Sequence, residues 1–220
     1  KCSSIIQIFK KIKLEFHPMR TRLKVCGITN PDDAINAVNA GVDAIGLVFY
    51  EKSPRSVTIE QARCVVNSLP PFVTVVGLFV NESAEIIKQI LDQVSLDILQ
   101  FHGDELADFC QQFNTPYMKA IRMKSEVNYH KMEADYQAAS GLLLDTYQKG
   151  IPGGTGETFN WSLIPSVSQR KKPIILAGGL TPENVKIAIE TVKPFAVDVS
   201  GGVEKNKGLK SQSLMKSMMN

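Results

Sequence analysis

The chain has 220 residues, of which 44% are hydrophobic and 21% charged, with 15 Gly and 11 Pro. These proportions are those of a folded globular protein, and they exclude collagen-like, low-complexity and wholly disordered chains. A net charge of +3 is too small and too scattered to indicate a nucleic-acid-binding surface. Since a typical domain has about 150 residues, we expect one large domain.

The cysteines and the hydropathy of the chain indicate the cellular compartment of the protein. The four cysteines are far apart and form no CxxC motif: Cys2, Cys26, Cys64 and Cys110. This pattern predicts neither a zinc site nor a disulfide framework, and it favours the reducing cytoplasm. The longest apolar run, residues 72–80, is about half the ~20 residues that span a bilayer, so we expect a buried strand and no membrane association.

The first twenty residues differ from the rest, because the regular pattern begins at RTRLKVCGIT, immediately after Met19. They have a short apolar patch but neither the hydrophobic region nor the cleavage site of a secretory signal. We expect an N-terminal extension over residues 1–20 and a catalytic domain over 21–220. A short amphipathic helix packed on the domain is the alternative, whereas Glu15 disfavours a transit peptide.

Eight short apolar segments predict strands, over residues 23–27, 43–49, 73–80, 96–101, 117–121, 141–145, 173–178 and 195–200. Their hydrophobicity is nearly continuous rather than alternating. Strands that are covered on both faces have this pattern, so it predicts a parallel sheet.

Helical stretches separate these strands. Thr29 or Asn30 can cap a helix that begins at Pro31, and Thr181-Pro182-Glu183 has the same form. Further helices are predicted near 58–68, 83–93, 104–112, 125–138, 160–168 and 208–219. Eight βα units of about 25 residues predict a single-domain (β/α)₈ TIM barrel of minimal size. An open doubly wound sheet is the alternative, but no GxGxxG follows the first strand.

In such a barrel the active site lies at the C-terminal ends of the strands. The last two strands end in glycine pairs, which present bare backbone N–H groups to an anion. The predicted phosphate site comprises Gly178, Gly179, Ser200, Gly201 and Gly202. Ordinary turn glycines are the alternative interpretation, and the pairing of two such loops favours a phosphorylated small molecule as substrate.

Three further strand ends carry reactive groups. Asp145, after three leucines, could hold a proton for general acid work, or it could be a solvated or helix-capping aspartate. Cys26, close to Lys24 and the next helix, could serve as base or nucleophile, or be a small buried apolar residue. Arg55 suits a carboxylate or phosphate, with a surface salt bridge as the alternative.

His102 follows the fourth strand and either lines the pocket or, with Gln100, holds the loop by hydrogen bonds. His17 and His130 lie outside the predicted rim. No spacing of histidines and carboxylates resembles a metal site, so we expect chemistry without a metal.

Several long motifs occur in register along residues 22–210: KVCGITNPDDA, GVDAIGLVFYEKSPRSVT, LFVNE, LQFHGDE, LLLDT, GGTGETFNW, AGGLTPENV and PFAVDVSGGVE. Together they resemble the phosphoribosylanthranilate isomerases, (β/α)₈ enzymes of tryptophan biosynthesis. The resemblance implies an Amadori rearrangement of a phosphoribosyl substrate by general acid and base catalysis, without a cofactor.

The resemblance also implies roles for individual residues. It makes Cys26 the general base and Asp145 the general acid, and it assigns Arg55 to the anthranilate carboxylate. The glycine loops with Ser200 would hold the ribose phosphate, and Asp198 would have an orienting role. Gly201 stands where the family has serine, a change that keeps the backbone donor. A flexible loop after the sixth strand, a candidate lid, contains Gly153, Gly154 and Gly156.

Alternative functions follow from the same pattern. Other barrel phosphosugar isomerases, including the histidine-pathway enzyme, resemble this chain but use paired aspartates, and Cys26 disfavours them. A phosphate-ligand binding module without catalysis is a second alternative, and an interaction protein that uses the basic N-terminal arm is a third. We expect a monomer, with a homodimer as the alternative, because no large apolar face is evident.

Overall fold

The structure is a computed structural model and describes residues 20–146 and 160–219. Eight parallel strands close into a barrel in chain order, with β1 paired to β8. The strands are β1 Arg22–Cys26, β2 Ala44–Val48, β3 Thr74–Phe79, β4 Ile98–Phe101, β5 Tyr117–Met123, β6 Gly141–Thr146, β7 Ile174–Leu176 and β8 Ala196–Val199. The closed barrel confirms the predicted fold and excludes an open doubly wound sheet.

Seven α-helices surround the barrel in the described part of the chain. They are α1 Pro31–Ala40, α2 Ile59–Ser68, α3 Ala84–Leu91, α4 Ala107–Cys110, α5 Tyr129–Asp135, α6 Val185–Val192 and α7 Gln212–Ser217. Within these ranges, none of the helices has the length and apolar character needed to cross a membrane.

The predicted start of α1 is confirmed. The side-chain oxygen of Asn30 accepts a hydrogen bond of 2.8 Å from the Asp33 backbone N–H, and Pro31 occupies the first helical position. Thr29, the other candidate cap, instead donates its hydroxyl to the carbonyl of Gly208. The helix ends at Gly41, whose φ of 94° lies in the left-handed region.

One predicted helix is wrong in kind, and another begins later than predicted, with α7 at Gln212. The segment near 160–168 forms two 3₁₀ turns, Trp161–Leu163 and Val167–Gln169, because Pro165 between them supplies no N–H donor. The segment near 208–219 begins instead with strand β10, Leu209–Lys210, which pairs antiparallel with β9, Glu204–Asn206. Gly208, at φ 82°, lies in the turn of this hairpin.

Three other helices are shorter than predicted. Helices α4 and α5 occupy only part of their predicted ranges, and α4 continues as the 3₁₀ turn Gln111–Phe113. Helix α6 begins at Val185 rather than near Thr181. The cause is Asn184, whose side chain accepts from the Thr181 N–H and donates to the Gly179 carbonyl, holding a turn before the helix.

Side chains alternate between the barrel interior and the layer that faces the helices. On β4, Leu99 and Phe101 belong to the main core between strands and helices, whereas Gln100 lines the cavity at the end of the barrel. The interior below that cavity is apolar and contains Val76, Met118, Ala120, Leu143 and Ala177. Inward positions near the C-terminal ends therefore carry the polar groups.

A buried ion pair anchors the loop after β4 to β5. The Lys119 ammonium donates to Glu105 Oε2 and to the Gly103 carbonyl, each at 2.7 Å, while Glu105 Oε1 accepts from the Asn81 N–H. Both side chains are almost fully buried. This network fixes the backbone immediately beyond His102.

Replacing Lys119 with methionine is expected to lower the free energy of unfolding by about 3–5 kcal/mol, because Glu105 would stay buried without its cation. The matched control is Lys131→Met, which breaks the exposed pair with Asp135 and should cost less than about 0.5 kcal/mol. Urea unfolding of both variants measures the difference. Equal losses would contradict the importance of the buried pair.

Candidate active site

A cavity of about 660 Å³ opens at the C-terminal ends of the barrel strands, a volume ordinary for a small-molecule site. Ten of the predicted site residues line it: Cys26, Arg55, His102, Asp145, Gly178, Gly179, Asp198, Ser200, Gly201 and Gly202. The predicted lid residues Gly153, Gly154 and Gly156 lie outside the described residues. The barrel thus brings together groups that are distant in the chain.

Cys26 lies beside a buried ion pair. The Lys24 ammonium donates to Asp198 Oδ1 at 2.8 Å, joining β1 to β8, and both side chains are at most 8% exposed. A β-carbon added at Gly46 would lie 2.8 Å from the Cys26 sulfur and 3.1 Å from the Lys24 ammonium. These two atoms therefore converge over Gly46, where any larger residue would displace them.

Burial and charge act in opposite directions on Cys26. Burial raises the pKa of the thiol, and Asp198 adds to this rise, whereas the Lys24 and Lys210 ammonium groups lower the pKa. The net pKa lies above the ordinary value of cysteine. For Lys24, burial opposes the charge, but attraction to Asp198 and Cys26 outweighs it and raises the pKa, so the ammonium stays charged.

Asp145 has a hydrogen-bonding neighbour at each of its two oxygens. Its Oδ1 accepts the Thr146 backbone N–H at 2.8 Å, and its Oδ2 lies 3.0 Å from His102 Nε2. His102 Nδ1 in turn lies 2.9 Å from the Gln100 amide nitrogen. Both alternatives considered for His102 therefore apply, since it lines the cavity and also bonds to Gln100.

The loop after β7 lies against Asp145. Gly178 has φ 86°, and an added β-carbon there would come within 2.8 Å of Asp145 Oδ1 and within 2.6 Å of the Thr146 nitrogen. Glycine is therefore required at this position both by conformation and by space.

The two glycine pairs present backbone donors to the cavity. Among residues 20–146 and 160–219, no acceptor pairs with the N–H groups of Gly178, Gly179, Gly201 or Gly202. Gly202 is also needed for packing, because an added β-carbon would lie 1.9 Å from the Leu180 carbonyl oxygen. The two loops thus touch each other and leave their donors open.

Arg55 is bound to an acidic side chain. Its Nε and Nη2 donate to the two carboxylate oxygens of Glu204 at 2.7 and 2.8 Å, and Lys210 donates to the same carboxylate at 2.9 Å. Although burial opposes ionisation, bonds from Arg55 and attraction to Lys210 hold the pKa of Glu204 below its usual value. Within the described ranges, Nη1 of Arg55 is the guanidinium nitrogen left without an acceptor.

Glu204 and Lys210 are the site residues that sequence reasoning missed. They come from the β9–β10 hairpin, which was not predicted, and nothing in their local sequence indicates that they reach Arg55. The Lys24–Asp198 pair had a signal, because Lys24 is a charge in a strand, two residues before Cys26 and therefore on the same face.

The part of the chain that the structure describes contains no group of three or more His, Cys, Asp or Glu side chains that could hold a metal ion.

A thiol and a carboxyl group that share one cavity with open backbone donors, at the C-terminal ends of parallel strands, define a (β/α)₈-barrel enzyme. The family model described as N-(5′-phosphoribosyl)anthranilate (PRA) isomerase matches residues 23–220. The chain is 59% identical over 198 residues to the N-(5′-phosphoribosyl)anthranilate isomerase of Pseudomonas fluorescens strain SBW25, covering 90% of this chain and 93% of that protein.

Solved structures agree. The phosphoribosylanthranilate isomerase in complex with reduced 1-(o-carboxyphenylamino)-1-deoxyribulose 5-phosphate is 41% identical, with a TM-score of 0.79, covering 91% of this chain and 97% of that one. Monomeric forms of the dimeric Thermotoga maritima enzyme are 40% identical, with a TM-score of 0.79 and the same coverage. The chain belongs to the phosphoribosylanthranilate isomerase family, an enzyme of tryptophan biosynthesis, which confirms the resemblance.

Proposed function

We propose that Cys26 and Asp145 carry the proton transfers of this isomerisation, as base and acid respectively. The observation that carries the proposal is their placement on β1 and β6, facing one cavity beside the open glycine donors. In the rearrangement, the aminoaldose N-(5′-phosphoribosyl)anthranilate becomes 1-(2-carboxyphenylamino)-1-deoxyribulose 5-phosphate.

Asp145 begins the reaction by donating a proton to the furanose ring oxygen. The ring C1–O bond breaks as the anthranilate nitrogen supplies its electron pair, giving an iminium ion at C1. The carboxyl group suits this step because it is buried and held in place by Thr146 and His102.

Cys26 completes the reaction as thiolate by removing the proton from C2, which the iminium ion has acidified. The resulting enolamine takes a proton at C1 while its C2 hydroxyl gives up a proton, and the C2 carbonyl of the ketose product forms. Lys24 supports this step, because its charge beside the sulfur opposes the effect of burial on the thiol.

The anionic ends of the substrate anchor it. The N–H groups of Gly178, Gly179, Gly201 and Gly202, with Ser200, bind the phosphate. Arg55 binds the anthranilate carboxylate through Nη1 while Glu204 holds its other edge. Asp198 has an orienting role, which its bond to Lys24 supports.

The direct test is steady-state turnover of freshly generated phosphoribosylanthranilate, followed by the loss of its fluorescence, with and without chelator. We expect turnover that chelator does not change. A folded protein without turnover would favour the binding-module alternative.

The raised pKa of Cys26 predicts that kcat/KM rises with pH through the neutral range, because only the ionised thiol acts as base. Lys24→Met removes a charge that lowers this pKa, so the rising limb should move to higher pH. Lys88→Met, at an exposed position of α3, is the control and should leave the limb in place. A limb that does not move in Lys24→Met would contradict the role of Lys24.

The oligomeric state and location belong to the same proposal. Phe72 is fully exposed at φ 70°, in the loop before β3 on the face opposite the cavity. Contact with a second copy would bury this ring and offset the strain of its backbone, so we favour a homodimer over the monomer that the sequence predicted. The cysteines that the structure describes are free thiols, which supports a cytoplasmic location.

Sedimentation measures this association. We expect a dimer that Phe72→Ser converts to monomer without loss of turnover. Deletion of residues 1–18 is the comparison. If the wild-type protein is a monomer and Phe72 becomes exposed only after the deletion, the N-terminal extension covers this face and is part of the domain.

A further inference from the structure

Gln100 is a buried polar side chain that the proposed proton transfers leave unused. It is fully buried on β4, and its Nε2 lies 2.9 Å from His102 Nδ1. Its Oε1 has no hydrogen-bond partner among the described residues. The residues that pair with it in the sheet, Leu78 and Met118, are apolar. His102 is therefore the group in the described structure that orients this amide.

The structure has the nitrogen of the Gln100 amide, rather than its oxygen, facing His102 Nδ1, and this orientation favours one position of the imidazole proton. An amide N–H that donates to Nδ1 requires Nδ1 to be unprotonated, so the ring is neutral and carries its proton on Nε2. Nε2 faces Asp145 Oδ2 at 3.0 Å and donates to it. The basic nitrogen of His102 thus points away from Asp145 and is already occupied.

We propose that Gln100 is a positioning residue that holds His102 as the neutral Nε2–H tautomer and so keeps the proton of the site on Asp145. An imidazolium would need an acceptor at Nδ1, where the amide places a donor. His102 can therefore orient the carboxyl group without taking its proton. This inference rests on the proposed acid role of Asp145.

Charged groups of both signs surround His102 and Asp145. Among the described residues they include Arg122 on β5, Asp104 in the loop after β4, Cys26 on β1, and the Lys24–Asp198 pair that joins β1 to β8. Arg122 donates to the His102 carbonyl at 2.9 Å, and Asp198 interacts electrostatically with both His102 and Asp145. The Gln100 amide is the group that contacts the imidazole ring at Nδ1.

Nitrogen NMR of the imidazole rings tests the proposal directly, because the chain has 3 histidines and His102→Asn identifies the signal. In the full-length wild-type protein at about pH 7, we expect His102 to show one protonated nitrogen, Nε2. An imidazolium or an Nδ1–H tautomer at that pH would overturn the proposal, whatever the variants do.

Two substitutions then separate positioning from packing. Gln100→Glu places an acceptor at Nδ1, so His102 should become imidazolium and kcat should fall about 100-fold with little change in KM. Gln100→Met keeps the volume and matches its apolar neighbours, and it should give mixed tautomers with a reduced kcat. Gln112→Glu, at an exposed position, is the charge-matched control.

A Gln100→Met protein with a pure Nε2–H ring and wild-type kcat would show that the amide has no such role. The readouts also separate this inference from the acid assignment. If Asp145→Asn kept its turnover, the acid role would fail, and the Gln100 proposal with it, while the NMR spectrum would still report the tautomer.

Discussion

Asp145→Asn is expected to lower kcat by about 10²- to 10⁴-fold, the usual contribution of a general acid. The asparagine keeps the shape of the side chain and can still accept the Thr146 N–H, but it has no proton to give to the ring oxygen. Ring opening should become rate-limiting. Affinity for the product should change little, because the phosphate and carboxylate anchors remain.

Asp92→Asn is the matched control. Asp92 lies at the C-terminal end of α3, exposed and outside the cavity. Steady-state kinetics should separate the two variants by kcat, while fluorescence titration with product should give similar dissociation constants. A purified Asp145→Asn enzyme with near wild-type kcat would refute the acid assignment.

Cys26→Ala should have an effect of similar size, because the proposed base is lost and the neighbouring carboxylate in the cavity, Asp198, is held by the Lys24 ammonium. Cys26→Ser is the sharper variant. It retains the size of the side chain, but a hydroxyl ionises far less readily than a thiol, so kcat should again fall by about 10²-fold or more.

Cys64→Ser, on the exposed surface of α2, controls for the chemistry of the substitution. Exchange of solvent deuterium into C2 gives an independent measurement, since it requires proton removal at that carbon. Loss of kcat and of exchange together in Cys26→Ser, with neither lost in Cys64→Ser, is the expected result. Undiminished turnover in Cys26→Ser would assign the base to another group.

The barrel could be predicted because each strand is covered on both faces and is therefore almost purely apolar, as in GLLLD before Thr146. Features that depend on one residue were predicted less well. Pro165 divides a helical pattern into two short turns, and Asn184 delays α6 by its own side-chain bonds. Hydrophobicity patterns extend over many residues, so they do not show the effect of a single residue of this kind.

The candidate site was predictable where strand ends carry reactive groups, as at Cys26 and Asp145. The environment of those groups was not. Arg55 meets Glu204 across 149 positions of sequence, and the hairpin that carries Glu204 has strands of two and three residues, too short for any periodic signal. The balance of burial and charge at Cys26 likewise requires the folded structure.

The Lys24–Asp198 pair links the first strand of the barrel to the last, across 174 positions of sequence. A chain that has formed seven strands but not the eighth therefore leaves a lysine inside the barrel with no counter-ion, and Cys26 without its finished surroundings. The active site is therefore complete only when β8 has closed the barrel. Two fragments cut between β1 and β8 should each be inert and should regain turnover only on reassembly, which makes activity a reporter of the last step of folding.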